Sequence, residues 1–221
     1  MGSFHPQAED LPPEFPVFPL TGALLLPRGR LPLNIFEPRY LAMTEDALAG
    51  GRMFGMVQPD PAQPAGATGP GLFRVGCLGR LTSFSETEDG RYLITLTGVA
   101  RFAVGTEAAV RRGYRRLRGD FAAYLDDLDL QPQPIGIERA ALLAALRDYF
   151  RARGVDANWD AIERMPDDML VITLCMVCPF EPVEKQALLE AGTDSDRAHT
   201  LFALLRMGAA EDDDPRAHVA S

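Results

Sequence analysis

The residues that could do chemistry fall into a few short clusters. Cys175-Met176-Val177-Cys178 has the C-x-x-C spacing of a dithiol redox pair. Such pairs draw their acidity from a helix amino terminus, whereas these cysteines close a long apolar run just before Pro179. The helix dipole is negative there and burial disfavours thiolate, so both effects work against reactivity. A zinc site would need two further ligands, and the chain offers Cys77 and His199, with His5 and His218 in the terminal stretches. The pair reads as small core residues, with a thiol oxidoreductase at Cys175 and Cys178 kept as an alternative. Lys185 is the only lysine. A Ser–Lys dyad needs a neutral, desolvated amine, and Glu184 beside it favours the protonated form. Lys185 is therefore expected on a solvated helix face.

Two further clusters are suited to binding rather than catalysis. Arg111, Arg112, Arg115, Arg116 and Arg118 surround Tyr114 in the stretch RRGYRRLR. Phosphate contacts from the arginines with a base stacked on the tyrosine would make a nucleic-acid surface. The competing reading is a surface strand whose arginines answer acidic groups of the same chain. Phe36, Pro38, Arg39 and Tyr40, in the stretch FEPRY, could edge an apolar groove with one cation, suited to an extended peptide. Against it stands a core position for Phe36 and Tyr40, with Arg39 paired to Glu37 or another carboxylate.

The elements that must position these residues are legible from breakers and periodicity. Phe15–Leu20 and Leu31–Phe36 have the length of buried strands, split by Gly22, Pro27 and Gly29. Glu37-Pro38 then starts a helix over 38–48, ended by Gly50-Gly51. Met53–Val57 reads as a strand, and PDPAQPAGATGPG over 59–71 as a surface loop. Strands over 72–86 and 91–104 flank Glu88-Asp89-Gly90, where Asp-Gly predicts a type I′ hairpin turn. Gly98 marks an expected bulge, and a strand over 114–121 completes the β part.

Past an acidic, proline-containing linker at 126–134 the period becomes helical. Leu142, Leu146, Tyr149 and Phe150 form one stripe, Asn158–Arg164 a short helix, and 166–178 a nearly all-apolar central helix. Pro182 opens another, and Thr193 or Asp194 caps the last. The expected division is a tail at 1–13, a β-rich part at 14–125, the linker, a helical bundle at 135–207 and an acidic tail at 208–221.

Composition narrows the function classes. Residues 1–120 hold 13 arginines against 12 acidic groups, whereas residues 121–221 hold 9 basic against 19 acidic groups. The acidic half repels phosphate backbones, so nucleic acid is a disfavoured partner. The opening MGSFHPQAED lacks an apolar core and is no secretory signal. The longest apolar run, Met169–Phe180, is too short to cross a bilayer. Three cysteines make no disulfide framework. A cytoplasmic protein without membrane contact, metal or cofactor is expected.

In this order the motifs resemble those of the amino-terminal, substrate-binding domain of the ATP-dependent Lon protease. The likeness runs over about 14–207: FPL and LPLNIFEPRY, Val75-Gly76-Cys77, Asp89-Gly90-Arg91, Gly98-Val99-Ala100-Arg101-Phe102, Glu184-Lys185-Gln186, Leu188-Leu189-Glu190, Arg197 and Leu204-Leu205. The resemblance implies an α+β fold, with an amino-terminal PUA-like β pseudo-barrel holding one early helix and a carboxy-terminal helical bundle. It implies a module that binds unfolded or tagged polypeptides and works with a protease or chaperone in protein quality control. No G-x-x-x-x-G-K-[ST] phosphate loop occurs in the sequence, so the family's ATP-driven proteolysis is not carried over. A stand-alone, non-enzymatic, bacterial-like member lacking ATPase and protease modules is expected.

Overall fold

The computed structural model describes residues 6–131 and 133–211. Its packing divides the chain into two compact units, one of residues 6–131 with Pro179–Leu189, the other of residues 133–178 and 190–211.

The first unit is built on six strands: β1 (Phe15–Pro19), β2 (Arg30–Ile35), β3 (Met53–Val57), β4 (Val75–Glu86), β5 (Tyr92–Arg111) and β6 (Tyr114–Asp120). Helix α1 (Pro38–Ala49) stands between β2 and β3. The order is β2-β5-β4-β3-β1-β6, and a further β5–β6 pairing closes five of the strands into a ring. Closure is possible because β5 is 20 residues long. Residues 92–103 of β5 pair with β4, and residues 103–111 pair with β6. Ala103 pairs with both Val75 of β4 and Asp120 of β6, so the two strands flank opposite edges of β5 and the expected pseudo-barrel results. Phe15, Val17, Val57, Leu72, Leu78, Phe102 and Leu117 fill its interior. Phe15 and Phe102 meet edge-to-face at 4.9 Å. Gly55, Gly76 and Gly119 admit these rings, since a Cβ at each would come within 2.8 Å of Phe102 or Phe15.

The structure refines several local expectations. β2 is an edge strand with alternating exposure, not a buried one, because it pairs with β5 alone among the described residues. The bulge falls beside Gly98, where register shifts between Leu78↔Ala100 and Gly79↔Gly98. The 88–90 turn is not type I′, since only Gly90 has positive φ (+77°). It is a three-residue loop, with Thr87 N–H on the Arg91 carbonyl and Gly90 N–H on the Thr87 carbonyl. The two positive φ angles of a type I′ turn occur instead at Arg112 (48°) and Gly113 (89°), joining β5 to β6.

A 3₁₀ segment, Ala122–Leu128, runs into the stretch read as a linker at 126–134. Asp127 there is the partner of buried Arg101: one carboxylate oxygen accepts from the Arg101 N–H and Nε at 2.9 Å, the other from Nη2 at 2.8 Å. Two charges removed from water need this degree of pairing, which explains why an apparently solvated acidic stretch folds back.

Helix α5 (Pro182–Glu190) was expected in the bundle, yet its residues through Leu189 belong to the first unit. Polar side chains hold it there. Gln58 donates to the Pro182 carbonyl (3.0 Å) and Gln186 Oε1 (3.2 Å), and Gln186 donates to the Val75 carbonyl (3.1 Å). Lys185 is buried rather than solvated, its Nζ donating to the Gly22 carbonyl at 2.7 Å. A part-buried carbonyl in need of a donor outweighs the polar flanks that suggested exposure.

The second unit comprises α2 (Arg139–Ala152), α3 (Trp159–Arg164), α4 (Asp167–Val177) and α6 (Asp194–Glu211). The predicted stripe Leu142, Leu146, Tyr149 and Phe150 is buried, as are Ala198, Leu201 and Leu205 of α6. Asn158 caps α3 through its side-chain oxygen. Thr193 rather than Asp194 caps α6: its hydroxyl accepts from Asp196 N–H at 3.0 Å, and Asp196 reaches back to Thr193 N–H at 3.1 Å.

Candidate functional site

The β5–β6 hairpin leans on α1 through one carboxylate. Asp46 accepts from the Tyr114 hydroxyl (2.7 Å) and from Arg112 (3.0 Å), and pairs with Arg111 (3.2 Å). Arg112 also reaches Glu45 at 2.7 Å. The Tyr114 hydrogen bond, aided by the arginines, holds the Asp46 carboxyl below the usual carboxylate range. Burial, and secondarily Asp46, pushes the Tyr114 phenol up to about 12. Tyr114 is therefore a neutral, fixed donor at neutral pH.

Beside this contact lies a cleft of ≈ 110 Å³ with walls from four elements. Pro19 follows from β1, Arg39 and Tyr40 from α1, Gly113, Tyr114 and Arg115 from the hairpin, and Pro59, Thr68, Gly69 and Pro70 from the loop after β3. The ring of buried Tyr40 lies 4.0 Å from that of Phe18, and the Arg39 guanidinium covers it at 4.6 Å. Arg39 also pairs with Glu37 at 2.9 Å.

Arg115 straps the loop to the barrel. It is 8% exposed, donates to the Pro70 carbonyl at 2.7 Å and pairs with Glu107. Glu107's other oxygen accepts from Thr68 at 2.6 Å. Burial pushes the Glu107 carboxyl up, but these hydrogen bonds outweigh it and hold the group below its ordinary range. The loop is itself ordered by its own bonds: Asp60 N–H to the Gly71 carbonyl (2.9 Å), Gly66 N–H to the Gly69 carbonyl (2.8 Å) and the Gln63 amide to the Leu72 carbonyl (2.8 Å).

The two sequence-derived binding clusters thus meet. Arg39 and Tyr40 from one, with Tyr114 and Arg115 from the other, line the same cleft. Phe36 and Pro38 do not line it, and Phe36 is 62% exposed rather than core. Arg116 and Arg118 both pair with Glu14, at 2.8 and 3.3 Å. Every arginine of 111–118 therefore faces a carboxylate. The loop residues Pro59, Thr68 and Pro70 escaped sequence reasoning; the signal was the loop's length, since long loops in compact domains tend to carry function.

Two exposed apolar side chains, Leu93 and Phe84, stand on opposite faces where β2, β5 and β4 run side by side. Leu93 (47% exposed) stands opposite Asn34 and Ser85 in register, and Phe84 (41%) opposite Ile94. Phe36 lies just past the end of β2.

The other candidates carry no comparable geometry. Cys175 and Cys178 are buried free thiols, and burial pushes Cys175 up to about 12. Among the described residues no group of three or more His, Cys, Asp or Glu could hold a metal ion. No described helix is long and apolar enough to cross a membrane.

Comparison with known proteins gives a consistent picture. The family model of the ATP-dependent protease La (LON) substrate-binding domain matches residues 14–206. The Lon protease of Anaeromyxobacter dehalogenans is 25% identical over 136 residues, 60% of this chain and 16% of that protein. Lon protease 2 of Myxococcus xanthus is 27% identical over 112 residues, 51% and 13% respectively. The chain thus spans less than a fifth of these relatives. Among solved structures, a Lon N-terminal domain protein from Xanthomonas campestris shares the fold with TM-score 0.57 at 22% identity, covering 86% of this chain and 97% of that one. The N-terminal domain of Mycobacterium avium complex Lon protease does so with TM-score 0.56 at 15% identity, covering 87% and 97%.

Proposed function

Because the chain belongs to the Lon substrate-binding domain family, we propose that it is a non-catalytic module that holds unfolded or tagged polypeptides and presents them to a protease or chaperone, as an adaptor in cytoplasmic protein quality control. The observation that carries this reading is the exposure of Phe36 and Leu93 beside the open edge of β2. Exposed large apolar groups forgo roughly 25 cal/mol for each Å² left in water, an unfavourable arrangement unless a partner covers them. The outer edge of β2 offers main-chain donors and acceptors to an extended chain, and Pro32, in the middle of β2, limits how far a sheet could grow there. An unfolded polypeptide supplies both complements, apolar side chains and unpaired backbone.

The nucleic-acid alternative has less to support it, since each arginine of the 111–118 stretch has a carboxylate partner and little uncompensated charge remains for phosphates. The test is binding of a reduced, alkylated and permanently unfolded protein, read by fluorescence anisotropy. The double variant Phe36→Ser/Leu93→Ser is expected to bind about tenfold more weakly with an unchanged urea midpoint. Equal affinity of variant and native protein would sink this surface; no binding by either would sink the reading.

A further inference from the structure

We propose that the cleft between α1, the β5–β6 hairpin and the 59–71 loop is a receptor for a carboxylate group. The proposal deepens the polypeptide-binding reading and rests on it only for the source of that group.

The charge of the walls is the first reason. Of the residues that line the cleft, Arg39 and Arg115 are charged and both are cations; no carboxylate lines it. Glu37 and Glu107 pair with these arginines from outside the lining. Asp46, the nearby acid, is engaged by Tyr114, Arg112 and Arg111.

The second reason is a cation whose own hydrogen bonds are incomplete. Arg115 Nη1 donates to the Pro70 carbonyl and Nη2 to Glu107 Oε1. Glu107 Oε2 is diverted to the Thr68 hydroxyl, so it does not complete a fork on the guanidinium. Arg115 Nε–H, in a side chain 8% exposed, is left without an acceptor among the described residues. The Nε–H is itself sealed from solvent, so a ligand in the cleft does not bond it; it leaves Arg115 a cation whose hydrogen bonds are incomplete, and an anion in the cleft would offset that charge.

Size and lining set the class of ligand. The cleft of ≈ 110 Å³ has room for a carboxylate with its first carbons. Pro19, Pro59, Pro70 and Tyr40 give the carbons apolar walls. Proline walls, with a loop fixed by its own hydrogen bonds, make the site preformed. A free peptide carboxy terminus and an Asp or Glu side chain share this chemistry.

The test uses the whole protein. Sodium propionate, titrated in ¹H–¹⁵N spectra, is expected to shift Gly69, Gly113, Tyr114 and the Arg115 side-chain N–H. Shifts confined to other parts of the molecule, or none, overturn the proposal. Labelled octapeptides then compare a free carboxy terminus, its amide, and the amide with one internal Glu. At least one acid form should bind about tenfold tighter than the plain amide, as a hydrogen bond to a charged group warrants; whichever does so identifies the source. Arg39 is half exposed, so Arg39→Gln should weaken that acid form by about three- to fivefold while leaving the amide unchanged. Equal binding of acid and amide peptides overturns the carboxylate receptor. Continued binding of a permanently unfolded protein in that case leaves the broader polypeptide-binding reading standing.

Discussion

Two stretches of this chain advertise chemistry most loudly, the arginine-rich β5–β6 hairpin and the C-x-x-C end of α4, and they meet opposite fates. Along the hairpin the charges are offset in pairs, each arginine facing a carboxylate of the same unit: Arg111 and Arg112 at Asp46, Arg115 at Glu107, Arg116 and Arg118 at Glu14. At the end of α4 the thiols are shut away from water, and burial pushes Cys175 up to about 12. A side chain's type says which chemistry is available; partners and solvent decide whether it is used. The polar stretch keeps its charges at the surface and helps line a cleft, and the thiol pair yields core.

The thiol side of this contrast is open to the sharpest attack. Raising a thiol from its ordinary value of 9.0 to about 12 lowers its thiolate population at neutral pH by roughly a thousandfold. Iodoacetamide labelling followed by mass spectrometry should therefore modify Cys175 about a thousandfold more slowly in native protein than in urea. Labelling at the rate of a free thiol would break the comparison and revive the oxidoreductase reading.

On the strand side the largest effect belongs to Asp46. Asp46→Ala leaves the buried Tyr114 hydroxyl without its acceptor and two guanidinium groups without their shared partner. Urea unfolding is expected to show a loss of about 2 kcal/mol. The native carboxyl is held low, by the Tyr114 hydrogen bond first. Its contribution is thus present above the unfolded-state value near 3.8 and disappears as pH falls through the lower native value. Asp46→Asn should flatten that acid limb of the stability curve. An unchanged limb would mean that the carboxylate does not organise the hairpin.

Much of this was legible in the sequence, and what was not has identifiable causes. The strand set, α1 and the buried stripe of α2 follow from local periodicity, which packing respected. The family resemblance and the α+β fold were readable from motif order. Long-range polar pairings were hidden: Asp127 looked like linker until Arg101 claimed it, and Lys185 looked solvated until the Gly22 carbonyl did. Turn chemistry misled at Asp89-Gly90, where Asp89 does not take a positive φ, while Arg112-Gly113 adopts the expected turn under the pull of α1 carboxylates. The cleft was half visible. Arg39, Tyr40, Tyr114 and Arg115 stood out by type, but no local signal says that the two clusters meet or that a proline-rich loop closes over them.

The smallest effect is expected where β6 faces solvent, and it bears on the alternative function. Arg116 and Arg118 share Glu14, and Arg118 is 71% exposed. Such pairs contribute about 0–1 kcal/mol, because water screens them and two long side chains must be held in place. Arg116→Gln/Arg118→Gln should therefore move the urea midpoint little, far less than Asp46→Ala. The same variant interrogates phosphate binding. If these arginines held single-stranded RNA, native protein would bind it at low salt, and losing two contacts would lower the magnitude of the log–log salt slope by about 1.4. With Glu14 occupying both guanidinium groups, the expected result is no measurable RNA binding by either protein. A salt-dependent signal in the native protein that the double variant loses would show the strand's charges to be available after all, and the contrast between a satisfied strand and a silenced thiol pair would fail on its strand side.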